Sequence, residues 1–364
     1  WTPRNLKATM RAAVASSYGL PREVLSVVES GVSKPVISAS KKAMVLLRVL
    51  ACSLSPSDWR MLSGEARLMK KPAAGFPYVP GGDVCGVVEE VSGDGGGFSP
   101  GDVVVGSWTL CGEGGLAEYH AVEASLVARK PRNVSPIVAA AAANSLVHAT
   151  QIADLAAISP GDRVLVLGGG GGVGTSLVQI VKARGAAYVA ATSTDCDLMT
   201  RLGVDRCIDY TREDWMAEFR SSPLDVVVDC AEGEAAWFRV ADAGLVKPAR
   251  RGGRFVAVVP RQWNIVMTRI THVLFWFLPV VGRLLRSRLF ARWSDRPRYR
   301  LHLGGVETGA DIARALALVD DGRVAPVVDT RSAHPLTTAG VRDAFDILRQ
   351  RKGHGKIVIQ VADA

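Results

Sequence analysis

Long apolar runs are missing from this sequence, and so are paired cysteines. The longest hydrophobic stretch, Val273 to Val281, is broken by Pro279 and falls short of the ~18–20 residues a transmembrane helix needs. Cys52, Cys85, Cys111, Cys196, Cys207 and Cys230 form no CxxC pair and no regular spacing. They support neither a disulfide framework nor a structural zinc lobe, which favours a reducing compartment. The histidines are few and scattered, so no Ser-His-Asp or Cys-His arrangement can be argued from spacing. His148, on an alanine-rich helical stretch, is the one to watch. There is no internal repeat and no low-complexity segment. Acidic residues are nearly absent from 250–300: twelve arginines, no lysine and the single acid Asp295 give that stretch +11 of a net +9. The basic balance is therefore local, and the chain as a whole does not read as a nucleic-acid binder.

What is present is an ordinary globular composition, 48% hydrophobic and 22% charged. At 364 residues two domains are expected, since single cores rarely grow beyond about 250–300 residues. The first nine residues, Trp1 to Thr9, carry Arg4 and Lys7 and no acid, which suits the tail of an organellar presequence. From Met10 onward, short strand-like segments alternate with Gly/Pro turns: Met10–Val14, Ala43–Ala51, the Pro80–Val91 turn and strand, and Phe98–Gly106. They predict a β-rich, barrel-like domain. Pro136 to Ala157 turns alanine-rich and helical, and after Pro160 strands at 164–167, 188–192, 207–208, 226–229 and 255–259 alternate with helices. That alternation predicts a doubly wound parallel sheet. A helix at 310–319, a second at 340–350 and a strand at 356–361 close the chain.

The central stretch is Val164-Leu165-Val166-Leu167 followed by Gly168 to Gly174. Gly169-x-Gly171-x-x-Gly174 has the dinucleotide spacing, set where a strand becomes a helix. Gly169 would permit the turn, Gly171 the approach of backbone N–H groups to a pyrophosphate, and Gly174 close packing of helix on strand. Gly172, Val173 and Thr175 complete the loop. The bland alternative is a tight, empty βα turn.

"PGGDVCGVVEEV", "FSPGDVVVG" and "ISPGDRVLVLGGGGGVGTSLVQIVKARGA", in that order and followed by "DGRVAPVVD" and "GKIVIQV", resemble the medium-chain dehydrogenase/reductase superfamily in its quinone oxidoreductase branch. The arginine-rich insertion further resembles a mitochondrial member. The resemblance implies an α/β fold in which a GroES-like β-rich catalytic domain (1–144) precedes a Rossmann dinucleotide-binding domain (145–305). Residues 306–364 then return to the catalytic domain. It implies a nicotinamide enzyme that reduces quinones or enone-type carbonyls by hydride transfer in an interdomain cleft. A mitochondrial matrix location follows from it, with the cytoplasm as the alternative. Zinc alcohol dehydrogenases of the superfamily carry a cysteine where this chain has Ser55, and a His-Glu pair where it has Gly82-Asp83. Serine and glycine are not the usual zinc ligands, so no metal is expected.

The acid that NAD enzymes place after the second strand is replaced by Ser193, with Thr194 beside it, and Tyr210 matches a tyrosine that reaches a 2′-phosphate in relatives. NADP(H) is favoured over NAD(H), although Asp195 lies close and no basic residue follows in that loop. Lys356 matches a residue that approaches the pyrophosphate; the alternative is a solvated lysine at a strand start. Ser55, Ser57 and Thr150 are the candidate donors for the substrate oxygen, while Asp58 reads as a helix cap. Phe275 to Leu278 lie beside Arg283, Arg286, Arg288, Arg292, Arg296, Arg298 and Arg300, a chemistry that suits a membrane surface or an anionic partner. The alternative is that Val273 to Val281 packs on the nucleotide domain or on a second subunit, as in a homodimer or larger assembly. RNA contact lacks an accompanying motif. A second functional reading is a nucleotide-binding, catalytically weak subunit of a larger organellar assembly.

Overall fold

A computed structural model of the chain describes residues 9–37, 42–108, 114–259, 261–262, 265–291, 293–304 and 307–363. The presequence-like residues 1–8, Cys111 and Arg292 lie outside the described residues.

In chain order the first strands are β1 (Thr9–Ala15), β2 (Leu25–Ser33), β3 (Met44–Ser53), β4 (Asp83–Val91), β5 (Val103–Ser107), β6 (Tyr119–Glu123) and β7 (Val127–Arg129), with helices α1 (Pro21–Val24), α2 (Pro56–Ser63) and α3 (Pro136–Leu155). There follow β8 (Arg163–Leu167), α4 (Gly172–Ala183), β9 (Tyr188–Thr192), α5 (Cys196–Arg201), β10 (Arg206–Ile208), α6 (Trp215–Phe219), β11 (Val226–Asp229), α7 (Glu234–Ala243), β12 (Arg254–Ala257), α8 (Ile270–Phe290) and β13 (Arg298–Leu301). The chain closes with α9 (Gly309–Asp320), β14 (His334–Pro335), α10 (Thr338–Arg349) and β15 (Val358–Gln360).

The described residues form two compact units: one within 9–147, 307–320 and 328–363, the other within 148–304 and 321–327. The chain passes from one to the other within α3. Residues 321–327 fall in the second unit rather than in the expected return segment. Gln179 of α4 holds them with a pair of bonds to the Ala325 backbone, 3.0 Å to its carbonyl and 2.8 Å from its N–H.

In the first unit a sheet runs β14-β15-β3-β4-β5-β7, with β6 also paired to β3, and β1 and β2 form a separate antiparallel pair. The register matters for the site. Ser107, Asp83, Ser53 and Val358 stand in one row across β5, β4, β3 and β15. The last strand thus brings the end of the chain beside residues some 300 positions earlier. Leu47, Val84, Leu116, Phe345 and Ile359 are among the residues that fill the core beneath this sheet.

The second unit is a parallel sheet in the order β10-β9-β8-β11-β12-β13, the doubly wound dinucleotide-binding order. Its central strands are apolar on both faces, as a sheet covered by helices on each side requires. β13 was not foreseen: Arg298-Tyr299-Arg300-Leu301 reads as charged, yet only Tyr299 is fully buried, as an edge strand allows. Arg298 and Arg300 therefore lie on a strand and not on the arginine-rich helix. α8 tolerates Pro279 because the Phe275 carbonyl, which would otherwise have received its missing N–H, accepts a 2.7 Å bond from Arg261 Nη1. The expected packing of Val273 to Val281 is half realised: Trp276 and Val280 are buried, while Leu274, Phe275, Leu278 and Val281 are exposed.

Candidate active site and dinucleotide-binding turn

The glycine turn leaves β8 at the switch point of the sheet, where β8 and β11 send their helices to opposite sides. Its glycines divide the work differently from expectation. Gly168, not Gly169, has the left-handed backbone that makes the turn, at φ 80°. Gly169 is buried; its N–H bonds the Thr192 carbonyl at 2.9 Å, and a Cβ on it would lie 2.6 Å from that of Ala191. A Cβ on Gly174 would lie 2.2 Å from the Gly168 carbonyl oxygen, so this glycine sets the helix against the turn. Gly171 is different. A Cβ there would meet only the Gly168 oxygen, at an ordinary 3.5 Å, so the protein itself does not require glycine.

Gly171 caps α4, and the N–H groups of Gly172, Val173 and Gly174 are the first-turn donors a helix leaves without internal partners. An open cradle at Gly171, beside those donors and the positive end of the helix, fits a pyrophosphate. Thr175 does not join them: its N–H goes to the Gly171 carbonyl at 2.9 Å and its hydroxyl to that of Gly172 at 3.2 Å.

Across the switch point, the carboxylate of Asp229 accepts backbone N–H bonds from Ala231, Glu232 and Gly233 at 2.9, 2.7 and 2.6 Å. Burial pushes its carboxyl up to about 7 in spite of those donors. It builds the turn after β11, which packs against Gly168.

At the end of β9, Ser193 is buried and its hydroxyl accepts the Asp195 N–H at 3.0 Å, while Thr194 is exposed. Asp195 caps α5, where Oδ1 accepts from the Leu198 N–H at 2.9 Å. Tyr210 is exposed in the turn after β10. Because β10 pairs with β9, that turn leaves the same edge as Ser193. Arg212 stands in it, 3.5 Å from Asp209 and otherwise extended into solvent. Arg212 is 19 residues beyond Ser193 in sequence, and only the β9–β10 pairing brings its turn to the same edge.

Cys196 and Cys207 are joined by a disulfide, with both sulfurs packed against the Ser193 carbonyl oxygen at 3.8 and 3.7 Å. This corrects the expectation of unpaired cysteines and removes that argument for a reducing compartment. A separation of 11 in sequence makes no motif, and only the β9–β10 pairing closes the distance.

In the first unit two of the candidate donors, Ser55 and Ser57, stand at the start of α2. Ser55 gives both its N–H (2.7 Å) and its hydroxyl (2.9 Å) to Asp58 Oδ2, so the cap reading of Asp58 holds and the hydroxyl hydrogen of Ser55 is spent. Burial raises the Asp58 carboxyl, and the charge of Lys70 works against that rise. Lys70 Nζ donates to Ser57 Oγ. Lys70 lies in the loop after α2 and was missed, because nothing in its surroundings marks it before α2 is folded.

Lys356 is not the solvated lysine of the alternative reading. It is buried, donating to Asp83 Oδ2 at 3.0 Å and to the Leu54 carbonyl at 2.8 Å, while Asp83 Oδ1 accepts from Ser107 at 2.8 Å. The pairing of β15 with β3 puts it there. In the second unit Thr150 is buried on α3, and His148 Nδ1 lies 2.8 Å from His302 Nε2.

These residues do not fit a zinc ion. Asp83 already faces an ammonium, Ser55 a carboxylate, and among the described residues no group of three or more His, Cys, Asp or Glu gathers as ligands.

A β-rich unit and a six-stranded doubly wound unit with a glycine-rich turn at the start of α4 define the class of two-unit nicotinamide oxidoreductases. Comparison with known proteins agrees. Residues 41–132 match the alcohol dehydrogenase GroES-like domain, and 202–359 match the family described as zinc-binding dehydrogenase. The NADPH-dependent alkenal/one oxidoreductase of Arabidopsis thaliana chloroplasts is 32% identical, over 96% of this chain and 79% of that protein. The mitochondrial NAD(P)H oxidoreductase RTN4IP1 of Bos taurus is 34% identical, over 99% and 91%. A quinone oxidoreductase structure from Coxiella burnetii shares the fold with a TM-score of 0.76 at 23% identity, covering 98% of this chain and all of that one. The chain belongs to the medium-chain dehydrogenase/reductase family, in its quinone oxidoreductase-like branch.

Proposed function

We propose that this chain is an NADPH-dependent, zinc-independent reductase of quinones or enone-type carbonyl compounds. The observation that carries the reading is Gly171, a glycine the protein has room to replace, beside three first-turn donors of α4. Gly171, Gly172, Val173 and Gly174 would hold the pyrophosphate. Gly169 and Thr175 support the turn from behind. Asp195, spent on capping α5, leaves the edge at Thr194, Tyr210 and Arg212 to a 2′-phosphate, with Arg212 supplying charge and Ser193 shaping the turn. When bound, the dinucleotide supplies a hydride to the carbon conjugated with the carbonyl.

The negative charge that reaches the substrate oxygen then needs donors. Ser57, whose oxygen accepts from the Lys70 ammonium, is made a stronger donor by that bond. Thr150 is the second donor in this reading, and Ser55 positions α2 through Asp58. The absence of zinc rests on the ligand chemistry at Ser55 and Asp83. Mitochondrial relatives support a location in the mitochondrial matrix, and a homodimer or larger assembly belongs to the same reading.

The alternative, a nucleotide-binding assembly subunit with weak turnover, is favoured by one observation: the hydroxyl hydrogen of Ser55 is committed to Asp58. Nicotinamide oxidation by the purified chain across a quinone and enone panel separates the two. Saturable turnover supports the reductase, and tight NADPH binding with no turnover supports the subunit.

A further inference from the structure

Helix α8 is built inside out. Trp276, Val280, Arg283 and Ser287 face inward: Arg283 pairs with Glu234 of α7, and Ser287 Oγ accepts the Tyr299 N–H at 2.8 Å. On the opposite face, where a surface helix is normally polar, Ile270, Leu274, Leu278, Val281, Leu285 and Leu289 fall on one stripe at helical spacing. Each is between 45 and 66% exposed. Twenty-one residues at about 1.5 Å rise make this stripe roughly 30 Å long. Phe290 and Trp293 extend it at the C-terminal end, and both are exposed. Scattered exposed leucines need no explanation, but a continuous apolar stripe of this length does.

The borders of the stripe are cationic. Arg269, Arg286 and Arg288 are exposed and enter no ion pair among the described residues, and α8 contains no acid. Along the Arg286 border a cavity of about 370 Å³ opens between α7 and α8, lined by Trp237, Phe238 and Pro279 and by Arg283 and Arg296, which are paired with Glu234 and Asp242, so that Arg286 is its unpaired cation among the described residues. A second copy of this chain is a poor occupant, because α8 carries no acid and isologous pairing of two such stripes would bring their arginine borders together. A surface with an apolar interior and a negatively charged skin is complementary in both respects.

We propose that the outer face of α8 is a peripheral docking surface for an anionic phospholipid bilayer: the leucine stripe enters the interface, and the bordering arginines take headgroup phosphates. No helix among the described residues is long and apolar enough to cross a membrane, so the attachment is lateral. Docking brings the chain to the phase in which apolar quinones partition. It does not depend on turnover, because vesicle binding is read without cofactor or substrate.

The test is flotation of the full chain with phosphatidylcholine vesicles, with and without phosphatidylglycerol. The chain should float with the anionic vesicles only. Arg286→Gln/Arg288→Gln should reduce that partition on the order of 30-fold, at ~1 kcal/mol per arginine. Leu278→Ser/Leu285→Ser should reduce it at least about tenfold. Both variants should keep the wild-type circular dichroism and the wild-type rate with a water-soluble quinone. Equal recovery with neutral and anionic vesicles, recovery with neither, or variants that bind as wild type would overturn the proposal. So would sedimentation showing that Leu278→Ser/Leu285→Ser splits a dimer while the wild type ignores vesicles, which would give the face to a second copy.

Discussion

Lys356→Met is the substitution that best separates the buried ion pair from the pyrophosphate role its position in the sequence suggests. In the folded chain the ammonium is buried 3.0 Å from Asp83 Oδ2 and 2.8 Å from the Leu54 carbonyl. Its removal leaves a buried carboxylate with Ser107 as its remaining hydrogen-bond donor. Breaking a buried pair from one side costs about 3–5 kcal/mol. For a unit of this size each kcal/mol moves the melting temperature by about 2–4 °C, so a fall of roughly 6–20 °C is expected. Thermal unfolding by circular dichroism reads the loss, and NADPH titration at low temperature, where the variant is still folded, should give an affinity within about threefold of wild type. Asp83→Asn combined with Lys356→Met should recover most of the stability, because no lone buried charge remains. An unchanged melt with a tenfold or greater loss of NADPH affinity would refute the ion-pair account and return Lys356 to the cofactor.

Gly171→Ala and Gly174→Ala should part company. The first should leave the melt nearly unchanged and weaken NADPH at least about tenfold, because the Cβ enters only the cradle; the second, clashing with the Gly168 carbonyl, should cost about 1–3 kcal/mol. Gly171→Ala that binds NADPH as wild type would remove the phosphate site from that turn. Burial and the neighbouring His148 lower His302 from 6.5 to about 4, so the folded state resists protonation. Stability from this group is present above the unfolded value near 6.5 and is lost as pH falls toward 4, by up to about 3 kcal/mol. His302→Gln should flatten that limb of a denaturation–pH profile, and an identical limb would refute the assignment. Cys207→Ser should lower stability by about 3 kcal/mol in the chain-entropy account of an 11-residue separation, read as a melt shift that reductant reproduces on the wild type. A melt indifferent to both would mean the bond does not form in solution.

The sequence made the second unit legible because its strands advertise themselves. Val226 to Asp229 and Tyr188 to Thr192 are apolar runs bounded by turns, and their limits agree with the fold to the residue. β13 escaped notice because an edge strand carries its charge outward, so Arg298-Tyr299-Arg300 reads as the tail of a basic helix. The glycine turn was legible as a motif, but the division of labour within it was not. Gly168 lies one position before the motif, and only backbone angles show that it makes the turn. The ion pair of Lys356 was hidden for a more basic reason: its partner is 273 residues away in sequence, and a lysine before a strand looks the same whether it meets a carboxylate or water. Lys70, Arg212 and the Cys196–Cys207 bond share that cause, each becoming visible only when a loop or strand pair closes the distance.

The central claim is tested most directly by steady-state oxidation of NADPH and NADH by the purified full chain with a soluble quinone, in metal-free buffer with chelator. The account predicts saturable, quinone-dependent turnover that favours NADPH over NADH and persists in chelator, with Arg212→Ala eroding the preference through a raised NADPH KM. Turnover that requires zinc, or NADPH bound without oxidation on any quinone or enone, would contradict it.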